Sequence, residues 1–361
     1  MNAPETIEIM STVPASSHDR GARRNAAVLV TGASGEVGRG LLTSLHEGGR
    51  RDLVAIDLRS FDDTQRALCR ECFVGDICEI PLLNRIQSMF EISVIYHLAA
   101  LLSTRTEFAP EAGHEINVGG TLNMLRLAAD QARSHGMPVK FMFPSSIAVY
   151  GLPDPESRQQ AGAVTEDQYN QPTTMYGCNK LYCEHLGRYY SHHHRALAQD
   201  RMTGVVDFRA IRFPGLISAD TVPSGGTSDY AAEMIHAAAE GRPYTCFVRP
   251  ETRIPFMTMP DAIDALLKLA SADKASLSRT VYNVRAFNPT AQELADLIAE
   301  HFSGVQITFR PDEQRQAIVD TWPMDCDDTA AREDWGFSPR HDLCSAFRDY
   351  LVPRITSRYS D

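Results

Sequence analysis

Among its 361 residues this chain has no apolar run approaching the roughly 20 residues a membrane span requires, so no membrane partner is expected. It also lacks positive charge: 35 Lys and Arg against 46 Asp and Glu leave a formal net charge of −11. Nucleic acid and anionic membranes both need a positive surface, so neither is expected, and an anionic ligand has to be held by local groups. Eight cysteines in a chain of this length do not make a disulfide scaffold. Cys69 and Cys72 form a CxxC with Cys78 close behind, yet no second CxxC or nearby histidine completes a tetrahedral site, and no metal is expected. His192-His193-His194 reads as a solvated helix end. Residues 1–25 lack the apolar core of a secretory signal. Arg20, Arg23 and Arg24 suggest a transit peptide, but Glu5, Glu8 and Asp19 weigh against it. The segment reads as a disordered tail and the protein as cytoplasmic.

What is present is an ordinary globular composition, 43% apolar and 22% charged, long enough for two domains or one large one. Ala26 to Val30 is a short apolar run suited to a buried parallel strand. It leads into Thr31-Gly32-Ala33-Ser34-Gly35-Glu36-Val37-Gly38 and then the helical pattern Leu41, Leu42, Leu45. Strand, glycine turn and helix in this order suit a dinucleotide pyrophosphate: Gly32 for the tight turn, Gly35 for approach of the amides, Gly38 for helix packing. A second strand, Leu53 to Ile56, ends on Asp57, where a carboxylate can accept from the adenosine ribose hydroxyls. That carboxylate would repel a 2′-phosphate, so NAD is expected over NADP, with Arg59 as the group that could accommodate the phosphate instead. A solvated Asp capping a loop is the alternative reading.

Further strands are expected at Glu71–Gly75, leading to Asp76-Ile77, and at Ser93–Leu98, breaking at Ala99-Ala100. Asn117 is expected to open a helix carrying Leu122, Leu125 and Leu127. Val139–Phe143 delivers Pro144-Ser145-Ser146, and a strand over 205–212 ends at Phe213-Pro214-Gly215. This alternation predicts an α/β fold with a doubly wound parallel Rossmann sheet. Later, Pro223 to Ser228 is a glycine-rich loop, Tyr230 to Ala239 a helix, and Thr290 to Phe302 a helix with a Thr290/Glu293 capping box. Tyr176 and Lys180 stand four apart in a helical pattern, hence on one face. A neighbouring ammonium lowers a phenol's pKa, so the pair can act as a general base, although a packed ring beside a solvated charge has the same spacing.

These segments, in this order, resemble the extended short-chain dehydrogenase/reductase superfamily, the NAD-dependent epimerases and dehydratases. The resemblance rests on the glycine turn, Asp57, Asp76-Ile77, His97-Leu98-Ala99-Ala100, Asn117 to Thr121, Ser145 to Gly151 and Tyr176 to Lys180. Within that superfamily the chain is most similar to the short-chain L-threonine 3-dehydrogenases. That narrower likeness lies in Ala99 to Ser103, Phe213 to Ser218, Gly225 to Ala231, Thr321-Trp322-Pro323 and Ala331 to Phe337. The resemblance implies Tyr176 as catalytic base, Lys180 as its pKa-lowering partner and Ser146 as the hydroxyl that orients the substrate. It implies NAD held by Gly32, Gly35, Glu36, Val37, Gly38, Asp57, Leu58, Arg59, Asp76, Ile77, Leu98, Ala99, Ala100, Asn117, Tyr176, Lys180 and Leu216. A small-molecule substrate, a 3-hydroxy amino acid, would meet Ser103, Ser146, Tyr176, Gly226, Thr227, Asp229 and Trp322. Trp322 as plain core and Asp229 as a mere N-cap are the alternatives.

The expected organisation is a Rossmann domain over 26–213, with 254–272 packing back on it, and a smaller substrate lobe over 214–253 and 273–361. A homodimer is expected from the resemblance. Two features depart from the pattern: Thr104-Arg105-Thr106-Glu107 replaces small residues, with Arg105 at the pocket rim, and Leu152 to Ala163 is longer. They leave a substrate other than threonine open. A nucleotide-sugar epimerase or dehydratase that regenerates its NAD, and a non-catalytic NAD sensor, are the competing readings.

Overall fold

The computed structural model describes residues 26–359 except Asp200, Met202 and Ser224; the expected tail, 1–25, lies outside the described residues. Seven parallel strands form the main sheet: β1 (Ala26–Thr31), β2 (Leu53–Asp57), β3 (Glu71–Val74), β4 (Glu91–His97), β5 (Val139–Ser146), β6 (Val206–Phe213) and β7 (Val281–Asn283). Their spatial order is β7-β6-β5-β4-β1-β2-β3. After β3 the chain crosses back to place β4 beside β1, so the winding reverses between those two strands. A crevice therefore opens at their carboxyl ends, where open α/β sheets take ligands. β2 and β6 are buried along their whole length, as strands covered on both faces must be.

The helices that bear on the site are α1 (Glu36–Glu47), α2 (Ser103–Phe108), α3 (Thr121–His135), α4 (Pro155–Gln160), α5 (Met175–His192), α6 (Tyr230–Ala239) and α7 (Met259–Ser271). Side chains alternate across the sheet. Leu29, Val54, Ile95, Phe141 and Phe208 pack with Leu125, Ala128 and Cys183 from α3 and α5. Val28, Val30, Leu53 and Ile211 pack on the other face with Leu41 and Leu45 of α1 and Leu266 and Leu269 of α7. Between β6 and α7 the chain forms a short parallel pair, Gly215–Ile217 with Phe256–Thr258, and this returns α7 to the sheet.

The remaining C-terminal chain gathers around Tyr230, Met234, Phe256, Leu294, Trp322 and Phe347, a separate core that also takes in Ile147 to Tyr150. The Thr290 capping box forms, with both reciprocal bonds. Two segments sit differently from their sequence reading. Val281–Asn283, within the stretch assigned to the lobe, pairs with Ala210–Arg212 as the seventh strand. Asn117 does not open a helix: it lies in the wide turn Glu115–Gly120, which joins the helix Pro110–His114 directly to α3. The chain arrives there already helical, so no capping residue is needed. Wide turns of this type cluster at functional sites.

Candidate active site

The crevice is shaped first by glycine. Gly32 has φ +65, and a Cβ on it would lie 2.6 Å from the Ala99 nitrogen, so the turn after β1 and the end of β4 touch backbone to backbone. A Cβ on Gly38 would lie 2.4 Å from the Gly32 carbonyl oxygen, which lets the first turn of α1 rest on the loop. The first amides of α1 are left facing the crevice edge, with Gly35 at the N-cap position and no side chain capping them. This is the backbone cradle and positive helix end a pyrophosphate uses.

Asp57 is 9% exposed and closes the cradle from β2. Its Oδ2 accepts from Ser34 N–H at 2.8 Å, and its Oδ1 accepts from Arg59 N–H at 2.9 Å and Arg59 Nε at 3.4 Å. Leu58 beside it is exposed. Asp76 Oδ1 accepts from Cys78 N–H at 2.9 Å, and Ile77 is buried. Glu36 receives the Thr221 hydroxyl from beyond the sheet, and Val37 packs partly buried beside the Leu41 core. Leu216 lies half-buried in the short strand Gly215–Ile217.

At the end of β4, Ala99 N–H donates to Thr31 Oγ1 at 3.1 Å, and Ala100 follows half-buried. His97 below them is held between the Thr31 and Thr121 hydroxyls, each at 2.9 Å. Burial, and secondarily the Lys180 charge, pull its pKa down to about 3, so the ring is neutral. Asn117 engages Leu101 twice, donating to its carbonyl at 3.1 Å and accepting from its N–H at 2.7 Å. Its amide therefore holds the loop after Ala100 in place.

Tyr176 stands in the first turn of α5, which Thr174 caps by accepting from Gly177 N–H at 3.1 Å. Lys180, one turn on, is buried; its Nζ donates to the Pro144 carbonyl at 2.7 Å and lies 5.5 Å from the Tyr176 ring centroid. Burial pulls Lys180 down to about 8, opposed by Cys183 and Glu184. Burial pushes the Tyr176 phenol up to about 12. The expected lowering of Tyr176 by Lys180 is not found: burial is the one cause of the shift, since desolvation opposes the phenolate and depresses the ammonium too. Ser146 ends β5, its Oγ accepting from Ala148 N–H at 3.1 Å. Ser145 instead donates inward to Glu184.

The other wall comes from distant chain. Ser103 Oγ and Thr227 Oγ1 are 3.5 Å apart, and Thr104 Oγ1 donates to the Gly225 carbonyl at 2.9 Å. Asp229 precedes α6 without capping it, and its Oδ2 accepts from Gly226 N–H at 2.7 Å, which fixes the glycine loop. Trp322 is 4% exposed, and its Nε1 has no partner. Arg105 is exposed on α2.

Sequence reasoning missed several supporting residues. Glu107 Oε1 accepts from Met175 N–H at 2.8 Å, so α2 steadies the start of α5. Glu184, the next turn after Lys180, takes Arg212 Nε at 2.9 Å and Nη2 at 2.6 Å in a buried bidentate pair. Its i+4 spacing from Lys180 was a usable signal; the Arg212 end, on another strand, gave none.

Residues 28–284 match the NAD dependent epimerase/dehydratase family. The chain is 33% identical over 318 residues to a mitochondrial L-threonine 3-dehydrogenase of Bos taurus, covering 88% of this chain and 79% of the relative. Among solved structures it is similar to a monomeric L-threonine 3-dehydrogenase of metagenomic origin, with TM-score 0.81, 35% identity, and 92% and 100% of the two chains covered. It is also similar to the holo form of a GalE-like L-threonine dehydrogenase from Cupriavidus necator, with TM-score 0.79, 34% identity, and 92% and 99% covered.

Proposed function

The chain belongs to the NAD dependent epimerase/dehydratase family, and on that premise we propose that it is an NAD-dependent dehydrogenase oxidising the β-hydroxyl of L-threonine or a related 3-hydroxy amino acid to the 3-oxo product. The observation that carries the reading is Lys180 Nζ, held on the Pro144 carbonyl two residues before Ser146 at the end of β5 and 5.5 Å from the Tyr176 ring centroid. The likeness to named threonine dehydrogenases over about nine-tenths of the chain supports the substrate.

The cradle fits a nicotinamide dinucleotide: uncapped α1 amides for the pyrophosphate, and Asp57 for the ribose. The buried Asp57 carboxylate favours NAD over a 2′-phosphorylated cofactor, while Arg59, 3.4 Å from it, is the group that could receive the phosphate. Bound oxidised nicotinamide supplies a hydride acceptor and a positive charge. Ser146 orients the substrate hydroxyl, Tyr176 removes its proton, and Lys180 favours the phenolate. From threonine the product is 2-amino-3-oxobutyrate. Ser103, Thr227, Asp229 and Trp322 offer acceptors for the ammonium and donors for the carboxylate. We place the enzyme in the cytoplasm as a homodimer; light scattering checks the assembly, since one similar structure is described as monomeric.

The test is absorbance of NADH with purified protein, NAD and L-threonine, beside Tyr176→Phe. Threonine-dependent NADH that vanishes in the variant is expected. An enzyme that converts a nucleotide sugar without net NAD consumption would replace this reading with an epimerase or dehydratase.

A further inference from the structure

β1 and β4 lie side by side where the winding of the sheet reverses, and their last residues, Thr31 and His97, are register partners. Both are buried. The His97 ring packs on Phe141 and Phe143, with centroids 5.6 and 6.2 Å away, and Lys180 Nζ lies 4.6 Å from the Phe143 centroid. Burial, with an ammonium on the same aromatic cluster, keeps the imidazole neutral. A neutral imidazole has a single N–H, so one ring nitrogen donates and the other accepts.

The neighbours decide which. Thr121 Oγ1 lies 2.5 Å from the Asn117 carbonyl, so its one proton points there. Cys183 Sγ donates to the same carbonyl at 3.3 Å. Towards His97 Nε2, at 2.9 Å, the Thr121 hydroxyl can then only accept, and Nε2 carries the proton. Nδ1 is left as the acceptor: Thr31 Oγ1 donates to it at 2.9 Å while accepting from Ala99 N–H at 3.1 Å. The opposite tautomer would set two oxygen lone pairs against each other across the 2.5 Å between Thr121 and Asn117. Each bond in the set therefore has one direction, from Ala99 N–H through Thr31, His97 and Thr121 to the Asn117 carbonyl.

The chain of bonds returns to the loop it started from. The Asn117 side chain accepts from Leu101 N–H at 2.7 Å and donates to the Leu101 carbonyl at 3.1 Å. Residues 99–101 leave β4 at the crevice edge and lead to Ser103, and Ala99 and Ala100 have no polar side chain with which to anchor themselves. The Ala99 nitrogen is also the atom against which the Gly32 turn rests.

We propose that His97 is a positioning residue for the dinucleotide: as the Nε2–H tautomer it joins Thr31 to Thr121 and so fixes the 99–101 loop against the glycine turn. His97 acts through that loop and not by contact with the cofactor. The role rests on the dinucleotide reading of the crevice and is independent of threonine as substrate.

The experiment measures NAD affinity by calorimetry, and the His97 tautomer by long-range ¹H–¹⁵N correlation in histidine-labelled protein, for wild type, His97→Phe and His97→Gln. Among the twelve histidines, the His97 signal is the one missing from both variants. Wild type at neutral pH should show the coupling pattern of a neutral Nε2–H ring. His97→Phe keeps a ring without hydrogen bonds and should weaken NAD about tenfold, the scale of one buried hydrogen bond. His97→Gln, whose amide can still donate to Thr121, should recover part of that affinity. Packing alone predicts the reverse order, because Phe fills the place of the ring and Gln does not. An Nδ1–H or protonated ring in wild type overturns the proposal. So does NAD affinity in His97→Phe within about twofold of wild type, or binding by His97→Gln no tighter than by His97→Phe. If His97→Phe does not fold, Thr31→Val, which cuts the same chain at Ala99, is compared with Thr31→Ser, which restores it, on the same NAD readout. If wild type binds no NAD, this role falls with the cofactor reading; if it binds NAD but makes no NADH from threonine, only the substrate reading falls.

Discussion

The two walls of the crevice are built differently. On the cofactor side, apart from Glu36 receiving the Thr221 hydroxyl, the polar contacts are short-range or strand to neighbouring strand: Asp57 to Ser34, Asp76 to Cys78, Thr31 to Ala99. On the substrate side, Ser103 reaches Thr227 across 124 residues of sequence, Thr104 reaches Gly225 across 121, and Arg158 reaches Trp322 across 164. The first wall is set by backbone geometry that any chain of this pattern adopts. The second is set by side chains of two short helices, α2 and α4, binding a hydroxyl and carbonyls of distant loops, so it tolerates change and can carry specificity.

The contrast is deepest where the walls meet, at Tyr176. Tyr176→Phe should lower kcat by about 10³-fold without loss of cofactor binding, since general base catalysis contributes on that order; residual activity near wild type in stopped-flow assays would remove Tyr176 from the chemistry. Next comes the cradle. Gly38→Ala places a methyl against the Gly32 carbonyl and should cost about 1–3 kcal/mol of unfolding free energy in urea titrations. A variant as stable as wild type would mean the turn yields more easily than its packing suggests.

Asp57→Asn keeps shape but drops charge, and should weaken NAD by about tenfold while narrowing the preference over NADP; calorimetry with both cofactors checks it. If Tyr176 is the base proposed above, the rate of alcohol oxidation should rise with pH between about 6 and 9, because it would act as phenolate and its pKa is pushed up to about 12. A flat profile there would mean that bound cofactor and Lys180 lower it fully. The smallest effect belongs to the substrate wall: Thr104→Val, isosteric but unable to hold the Gly225 carbonyl, should raise threonine KM about two- to threefold. A change in NAD affinity instead would show that the walls are not separate.

The same division explains what could be read from the sequence. β1, β2 and the glycine turn announce themselves because apolar runs and glycines act locally; the Thr290 cap does so for the same reason. Tyr176 and Lys180 were legible as a helix face. Arg158 was not: it stands in a polar stretch, Pro155-Glu156-Ser157-Arg158, that looks like any surface helix, and its partners lie far along the chain. Asn117 was found but misplaced, since nothing local marks a wide turn inside a continuous helix. Val281–Asn283 was missed as sheet because three residues carry no period.

That last strand bears on how the protein is made. β6 is complete at Phe213, yet its outer edge stays unpaired until Val281–Asn283 arrives, after α6 and α7 have been synthesised. Asn283 then ties in three times, its N–H to Glu166, its side-chain nitrogen to the Val164 carbonyl and its side-chain oxygen to the Tyr150 hydroxyl, in the chain that follows Ser146. A chain released at residue 213 would expose a bare strand edge, the template for aggregation. Emergence from the ribosome, not domain order, sets when this edge of the sheet can close.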